Sequence, residues 1–185
     1  AMMSMAGGTA DQTIGLSPRF WRNHTWLWHT DYGPRRTFDA VFGVEALQIN
    51  GETTGVFGTA TLDDVINHAS PLASYASQCG GNGNGNGNGN GNGNGNGNGQ
   101  VNAGGNSCAK AVEQLGFQAV AALQNAATLV PYGQDTTWVI AKVQTALMSF
   151  NKNDIQYLKN DFDDRNNAGA SGQQDRVIEM LKSSV

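Results

Sequence analysis

The stretch CGGNGNGNGNGNGNGNGNGNGQVNAGGNSC, residues 79–108, divides the chain in two and determines how the two parts are joined. Residues 82–99 are an uninterrupted Asn-Gly repeat, and the only two cysteines of the chain, Cys79 and Cys108, stand at the two ends of the stretch. The repeat has no apolar surface to offset the entropy of ordering its glycines, so it cannot form a core. We therefore predict a globular body that carries one long arm, residues 80–107, closed at its base.

The two cysteines favour a disulfide, because they bracket a Gly-rich loop and a bridge there would form in an oxidising compartment. Closing a loop of about 30 residues stabilises a fold by roughly 3.5 kcal/mol in the chain-entropy model. Two unpaired thiols are the alternative. A metal pair is not indicated, since no other cysteine and no suitably spaced histidine stands nearby. We expect Cys79 and Cys108 to be bridged.

The arm has a period of two residues, as a β-strand does. If it is extended, all its repeat asparagines project from one face and all its glycines from the other. Asn ladders between identical stacked strands stabilise cross-β assemblies. A three-fold polyglycine-like helix and a solvated spacer loop are the alternatives. We predict that contacts between copies order the arm through its asparagines, which are Asn82, Asn84, Asn86, Asn88, Asn90, Asn92, Asn94, Asn96 and Asn98.

Length and charge limit the classes of protein to consider. Without the arm and a loose N-terminus, about 140 residues remain, enough for one domain. The formal net charge of −4 is mild, and no dense Lys/Arg face indicates nucleic-acid binding. No apolar run approaches the roughly 18 residues that span a membrane. The chain begins at Ala1 without a signal peptide or an initiator Met, as expected of a mature secreted chain from which a leader has been cleaved. Alternatively, Ala1 is a residue left from a purification tag.

The body is predicted to be one domain built from two halves. Residues 1–15, rich in Met, Gly and Ala, are expected to be an N-terminal tail, or an arm that orders on contact. Residues 16–79 form an aromatic-rich N-terminal half, and residues 108–185 form a helical C-terminal half of the same domain. Aromatic side chains carry a large apolar surface. We therefore expect the cluster of Trp21, Trp26 and Trp28 to be at least half buried, either against the C-terminal helices or against another copy.

Several segments resemble a small helical domain of secreted and surface proteins of bacteria. LSPRFWRNH at residues 16–24 is similar to the opening TPGYWKNH of that domain, with Arg19 in place of its glycine. FDAVFG at residues 38–43 and AVAALQNAA at residues 119–127 are similar to its FxxVFG and AVAALLNAA segments. The motif residues are Trp21, Asn23, His24, Trp26, Trp28, Phe38 and Phe42.

This resemblance extends in order over residues 16–167, and the Asn-Gly arm stands where the family has a short linker. The family has no established activity. The resemblance therefore implies a fold and an extracellular or cell-surface location, but no chemistry.

Periodicity and capping residues predict a mainly α fold. Three short helices are predicted to begin at capping residues. The first begins at Ser17, which Pro18 follows, the second at Thr37, and the third at Thr61, which forms a capping box with Asp64. The helix that Thr61 opens is expected to run through His68, and residues 47–57 are expected to form a loop or a weak hairpin.

Behind the arm, apolar residues recur at three- and four-residue spacing in a long Ala-rich helix, in which Gly116 is expected to be a soft spot. Residues 135–137 are expected to cap a second helix, and Asn153 or Asp154 a third. Residues 166–172 are a predicted loop, before a short amphipathic helix with Val177, Ile178 and Leu181.

No constellation of residues indicates catalysis, a metal or a cofactor. His24, His29 and Asp31 match no known metal spacing, and hydrogen-bonded structural histidines explain them better. Residues 160–167 are rich in Asp and Asn, but as a calcium loop they would place Arg165 at a ligand position. No nucleophile elbow, phosphate loop or zinc-protease helix is present. We expect a protein that is not an enzyme and needs no cofactor.

The sequence thus favours a structural subunit of an extracellular fibre or surface assembly. Its partner would be other copies of itself, with neither nucleic acid nor a membrane span involved. A secreted binding module for polysaccharide, ice or a mineral surface is the alternative, with the row of asparagines as the contact face.

Overall fold

Helices make up most of the secondary structure in residues 13–80 and 107–185, the ranges that this computed structural model describes. A small antiparallel hairpin joins β1 (Gln48–Ile49) to β2 (Glu52–Thr53). The predicted mainly α fold is therefore confirmed. The helices are α1 (Pro18–Arg22), α2 (Phe38–Val41), α3 (Leu62–Ile66), α4 (Ala73–Gly80), α5 (Cys108–Ala127), α6 (Thr136–Met148), α7 (Lys152–Asn166) and α8 (Ser171–Ser183).

Helix α5 lies at the centre of the body and contacts α1, α3, α4, α6 and α7. Its alanines let these neighbours approach closely, and Ala119, Ala121 and Ala122 are fully buried. Gly116 is not the soft spot expected from the sequence. A Cβ at this position would lie 2.6 Å from Cγ1 of Val65 and 2.9 Å from Cζ of Phe57. Gly116 is instead the position at which α3 and the loop before it pack most closely against α5.

Two of the three predicted helix caps in the N-terminal half form through their side chains, whereas Thr37 precedes α2 without a side-chain cap hydrogen bond. The Ser17 hydroxyl accepts a hydrogen bond from the backbone N–H of Phe20 at 3.1 Å, so it caps α1. Thr61 and Asp64 make both bonds of a capping box, each 3.0 Å long. The helix behind them ends at Ile66 rather than at His68, because His68 adopts a left-handed φ of 72°.

A buried carboxylate fixes the loop that follows the hairpin. Asp39 of α2 accepts hydrogen bonds from the backbone N–H groups of Val56, Phe57 and Gly58 at 3.0, 3.0 and 2.8 Å. Burial raises the pKa of Asp39, although these three donors favour its charged form. Gly55 passes so close that a Cβ there would overlap the carboxylate. Asp39 thus holds together the two ends of residues 39–58.

Two boundaries in the C-terminal half differ from the prediction. Asp135 caps α6 as expected, but Asn151, not Asn153 or Asp154, caps α7 by accepting from the N–H of Asp154 at 3.1 Å. Phe150 has a left-handed φ of 52°, which turns the chain at once from one helix to the next. The predicted loop 166–172 is shorter, because α7 extends to Asn166 and α8 begins at Ser171.

The end of the predicted N-terminal tail belongs to the body. Ile14 is buried, and its N–H donates to the carbonyl of Pro131, while the N–H of Gly15 donates to the carbonyl of Ala168, both at 3.1 Å. A Cβ at Gly15 would overlap the carbonyl oxygen of Arg165. Residues 14 and 15 are therefore inserted between the segments that follow α5 and α7. Residues 1–12 lie outside the described ranges.

Candidate functional site: the base of the arm and an aromatic ledge

A disulfide closes the base of the arm, as predicted. Cys79 in the last turn of α4 is bonded to Cys108, the first residue of α5, with their Cα atoms 5.9 Å apart. Both cysteines are buried in the body. The two ends of the arm are therefore fixed at one place. The asparagines from Asn82 to Asn98, predicted to act in assembly, lie outside the described residues.

The helices that carry this disulfide are anchored independently of it. The Tyr75 hydroxyl of α4 donates to the carbonyl of Leu147 at 2.5 Å, and its ring stacks on Phe150 at 5.2 Å. Burial raises the pKa of Tyr75, so the hydroxyl remains a donor at any ordinary pH. The hydroxyl of Ser107 caps α5 by accepting from the N–H of Lys110 at 3.1 Å. The base of the arm is thus a fixed part of the body.

The tryptophan cluster divides into buried and exposed members. Trp21 and Trp28 are buried within the body, but Trp26 is 56% exposed there, so burial of Trp26 against another copy stays a prediction. The reason for the exposure is local: residues 25–27 form a 3-10 turn that directs Leu27 inward and leaves Trp26 outside. The other predicted motif aromatics, Phe38 and Phe42, are fully buried and stack on each other at 4.4 Å.

Both buried tryptophans are fixed by their indole N–H groups. Nε1 of Trp21 donates to Oδ1 of Asn125 at 3.0 Å, and Nε1 of Trp28 donates to the carbonyl of Trp21 at 2.9 Å. Buried indoles need such partners. The two bonds hold the backbone on both sides of Trp26 against the core.

Three neighbouring rings lie on this support, and we call them the aromatic ledge: Phe20 and His24, which are partly buried, and Trp26, which is exposed. The Phe20 and His24 rings are stacked at 4.3 Å, and the His24 and Trp26 rings lie 4.9 Å apart. Nδ1 of His24 lies 2.7 Å from the carbonyl oxygen of Phe20, which fixes the imidazole over α1.

Polar groups beside the aromatic ledge have no partner within residues 13–80 and 107–185. No acceptor there bonds to Nε1 of Trp26, and the exposed amide of Asn23 makes no side-chain hydrogen bond there. Within the same ranges, no carboxylate pairs with Arg19 or Arg22. The donors of Trp26 and Asn23, and the two arginines of the adjoining helix α1, are therefore available to a ligand.

Behind the aromatic ledge, a buried amide network joins three parts of the chain. Asn125 of α5 accepts from the N–H of Leu16 at 3.0 Å and donates to its carbonyl at 2.9 Å. Asn166 of α7 donates to the carbonyl and to Oε1 of Gln118, at 3.0 and 2.8 Å. Tyr132 completes the network by donating to Oδ1 of Asn166 at 2.8 Å.

Sequence reasoning missed this network. The available signal was the position of Asn125 among alanines, near the end of a helix whose last turns are otherwise mostly apolar. Gln124 makes a similar connection, since it accepts from the N–H of His29 at 3.0 Å and donates to the carbonyl of Tyr32 at 2.8 Å. These amides account for much of the polarity that α5 and α7 carry into the core.

The residues considered as metal ligands have structural partners. His29 caps a 3-10 turn, because its Nδ1 accepts from the N–H of Asp31 at 3.0 Å. Asp161 pairs with Arg165 at 3.2 Å, and Asn166 is buried in the amide network. Across the described parts of the chain, no three His, Cys, Asp or Glu side chains come together to hold a metal ion.

No family model, no curated protein and no solved structure matches this chain. The resemblance of residues 16–167 to a bacterial surface domain therefore stays a prediction. In the described ranges, no helix has both the length and the apolar character needed to cross a bilayer.

Proposed function

We propose that the protein is a structural subunit of an extracellular fibre or surface assembly, in which the Asn-Gly arm makes the contacts between copies. The observation that supports this most is the buried Cys79–Cys108 bridge, which holds both ends of the arm within 5.9 Å on a rigid body. A disulfide is also compatible with the oxidising conditions outside the cell. A load applied to the arm would pass through the bridge to α4 and α5.

The size of the arm supports contact with a neighbour. Eighteen extended residues reach roughly 60 Å, whereas a body of this length has a radius of gyration of about 15 Å. Pairing with the same segment of another copy would satisfy the backbone of every residue and let the Asn amides form ladders. A polymer repeats this gain at each subunit.

The test is a comparison of three proteins: the natural chain, a variant lacking residues 82–99, and a control in which serine replaces the nine repeat asparagines. The control keeps the length and the glycines but removes the amides. We expect both variants to remain folded, and the deletion variant to stay monomeric in electron micrographs and in sedimentation. If the deletion variant forms the same fibres as the natural chain, the proposal is wrong.

The serine control separates two forms of the proposal. If it fails to assemble, the amides carry the contact, and if it assembles, the backbone does. Hydrogen exchange gives an independent measurement. Amides of the arm that exchange in the assembled material as fast as in a free peptide would contradict any role in assembly.

A secreted binding module is the second candidate, and the exposure of Trp26 favours it. Trp26 is 56% exposed, and its indole N–H and the neighbouring Asn23 amide have no partner within residues 13–80 and 107–185, so a ligand could stack on the ring and bond to both groups. The row of asparagines would be a further contact face. Retention of the monomer on polysaccharide, ice or a mineral surface tests this function, and failure to bind all three would exclude it.

A further inference from the structure

We propose that the aromatic ledge binds an acidic polysaccharide, with Trp26 stacking on a sugar ring and Arg19 and Arg22 contacting sugar carboxylates. This inference rests on the binding-module function, and it is independent of assembly through the arm.

The exposed ring of Trp26 is attached to a backbone that is held against the core on both sides. Trp26 lies in a 3-10 turn between Trp21 and Trp28, and both of these are buried and hydrogen-bonded. His24 supports the Trp26 ring from one side at 4.9 Å. A ring held in this way loses little conformational entropy on binding. The negative face of an indole attracts the polarised C–H groups on one face of a sugar ring.

Two hydrogen-bonding groups at or near the ring are free to contact a sugar. Within residues 13–80 and 107–185, neither Nε1 of Trp26 nor the side-chain amide of Asn23 has a partner. Sugar hydroxyls are both donors and acceptors, so they can bond to both groups. A purely apolar ligand would leave these groups unpaired.

The positive charge of this segment favours an acidic sugar over a neutral one. Residues 17–28 contain two arginines and no carboxylate, although the whole chain has a formal charge of −4. Arg19 and Arg22 stand three positions apart on α1, which places them on neighbouring parts of its surface. Guanidinium groups bind carboxylates with paired hydrogen bonds. A uronic-acid polymer has these carboxylates, hydroxyls that can bond to Asn23 and Nε1 of Trp26, and ring faces that can stack on Trp26.

The experiment measures binding of alginate oligosaccharides, which are polymers of uronic acids, to the full chain at low salt by calorimetry. Dextran oligosaccharides of equal length are the neutral comparison. Trp26→Ala is expected to weaken alginate binding about tenfold or more. Its unfolding midpoint should be unchanged, because the side chain is largely exposed. Tyr157→Ala, which removes a 78% exposed aromatic on α7, is the matched control and should bind as the natural chain does.

The double variant Arg19→Gln, Arg22→Gln is expected to lose the preference for alginate over dextran. The proposal is overturned if the natural chain binds no alginate, if it binds dextran equally well, or if Trp26→Ala binds with unchanged affinity. Binding that disappears when residues 82–99 are deleted, but persists in Trp26→Ala, would assign the ligand to the arm. A loss of assembly in Trp26→Ala without loss of alginate binding would show that the aromatic ledge contacts another copy.

Discussion

Asn125 and Asn166 meet inside the body, where Nδ2 of Asn125 donates to Oδ1 of Asn166 at 3.0 Å. Both side chains are fully buried. The bond joins α5 to α7, and through Leu16 it also fixes the entry of the chain into α1. All four hydrogen-bonding positions of the Asn125 amide are used. Satisfied amides in a low-dielectric interior specify one arrangement of the elements around them.

Replacing Asn125 by alanine should destabilise the protein by about 3 kcal/mol or more, since each buried donor left without an acceptor costs about 1–3 kcal/mol. The donors affected are the N–H of Leu16 and Nε1 of Trp21. Urea unfolding gives the free energy. Asn160→Ala, at an exposed position of α7, is the control and should be near neutral. Equal losses in the two variants would show that the network contributes nothing specific.

Gly116→Ala should destabilise the protein although alanine favours helices by about 1 kcal/mol. The added Cβ would lie 2.6 Å from Cγ1 of Val65, and overpacking of this kind costs typically about 1–3 kcal/mol. Gly172→Ala is the matched control, since nothing lies within 4 Å of a Cβ there. Thermal unfolding should show a lower midpoint for Gly116→Ala alone. A stabilised Gly116→Ala protein would mean that α3 can move away from α5.

Reduction of the Cys79–Cys108 bridge should lower the free energy of unfolding by roughly 3.5 kcal/mol in the chain-entropy model. The bridged residues are 29 positions apart, and deleting residues 82–99 shortens the loop. The effect of reduction should then decrease by roughly 0.8 kcal/mol, because loop entropy depends on the logarithm of length. Urea unfolding with and without reductant measures both values. An effect that is larger in the deletion variant would contradict loop entropy as the cause.

The buried carboxylate of Asp39 should give the stability a characteristic pH dependence. Because burial raises its pKa above the ordinary 3.8, the folded state binds this proton more readily than the unfolded state does. The stabilisation that the folded state gains from protonation of Asp39 is therefore fully present below pH 3.8, and it is lost as the pH rises through the raised pKa. The comparison is with Asp39→Asn, which does not titrate at this position.

Subtracting the pH profile of Asp39→Asn from that of the natural chain removes the effect of other carboxylates. The difference in free energy of unfolding, natural chain minus variant, should fall as the pH rises from 3.8 through the raised pKa of Asp39. A difference that rises instead would show that the three backbone donors outweigh burial. Asp39→Asn should also be less stable at every pH, because its one amide oxygen cannot accept from Val56, Phe57 and Gly58 in the same geometry.

Features that depend on neighbours in sequence could be predicted from the sequence. Ser17, Thr61 and Asp135 cap their helices because a cap needs only its own residue and the next three. Helix α5 follows from its apolar spacing. Asn151 was missed because three polar residues close to one another, Asn151, Asn153 and Asp154, can all cap, and the turn at Phe150 selects the first of them.

Features that depend on a partner far along the chain could not be predicted. Asn125 appears in the sequence as a polar residue in an Ala-rich helix, and its partners Leu16 and Trp21 lie more than a hundred positions away. That Trp26 is the exposed member of its cluster could not be predicted for the opposite reason. Aromatic density predicts burial on average, whereas one 3-10 turn decides which ring remains outside.

The position of the disulfide has a consequence for cleavage of the chain. A protease that cuts between residues 80 and 107 would leave two polypeptides linked through Cys79 and Cys108. Helices α1, α3 and α4 of the first polypeptide would still pack on α5 of the second. The nicked molecule would migrate as one species on a non-reducing gel and as two under reducing conditions. The nicked body would therefore be a disulfide-linked heterodimer, and cleavage of the arm would not release either half.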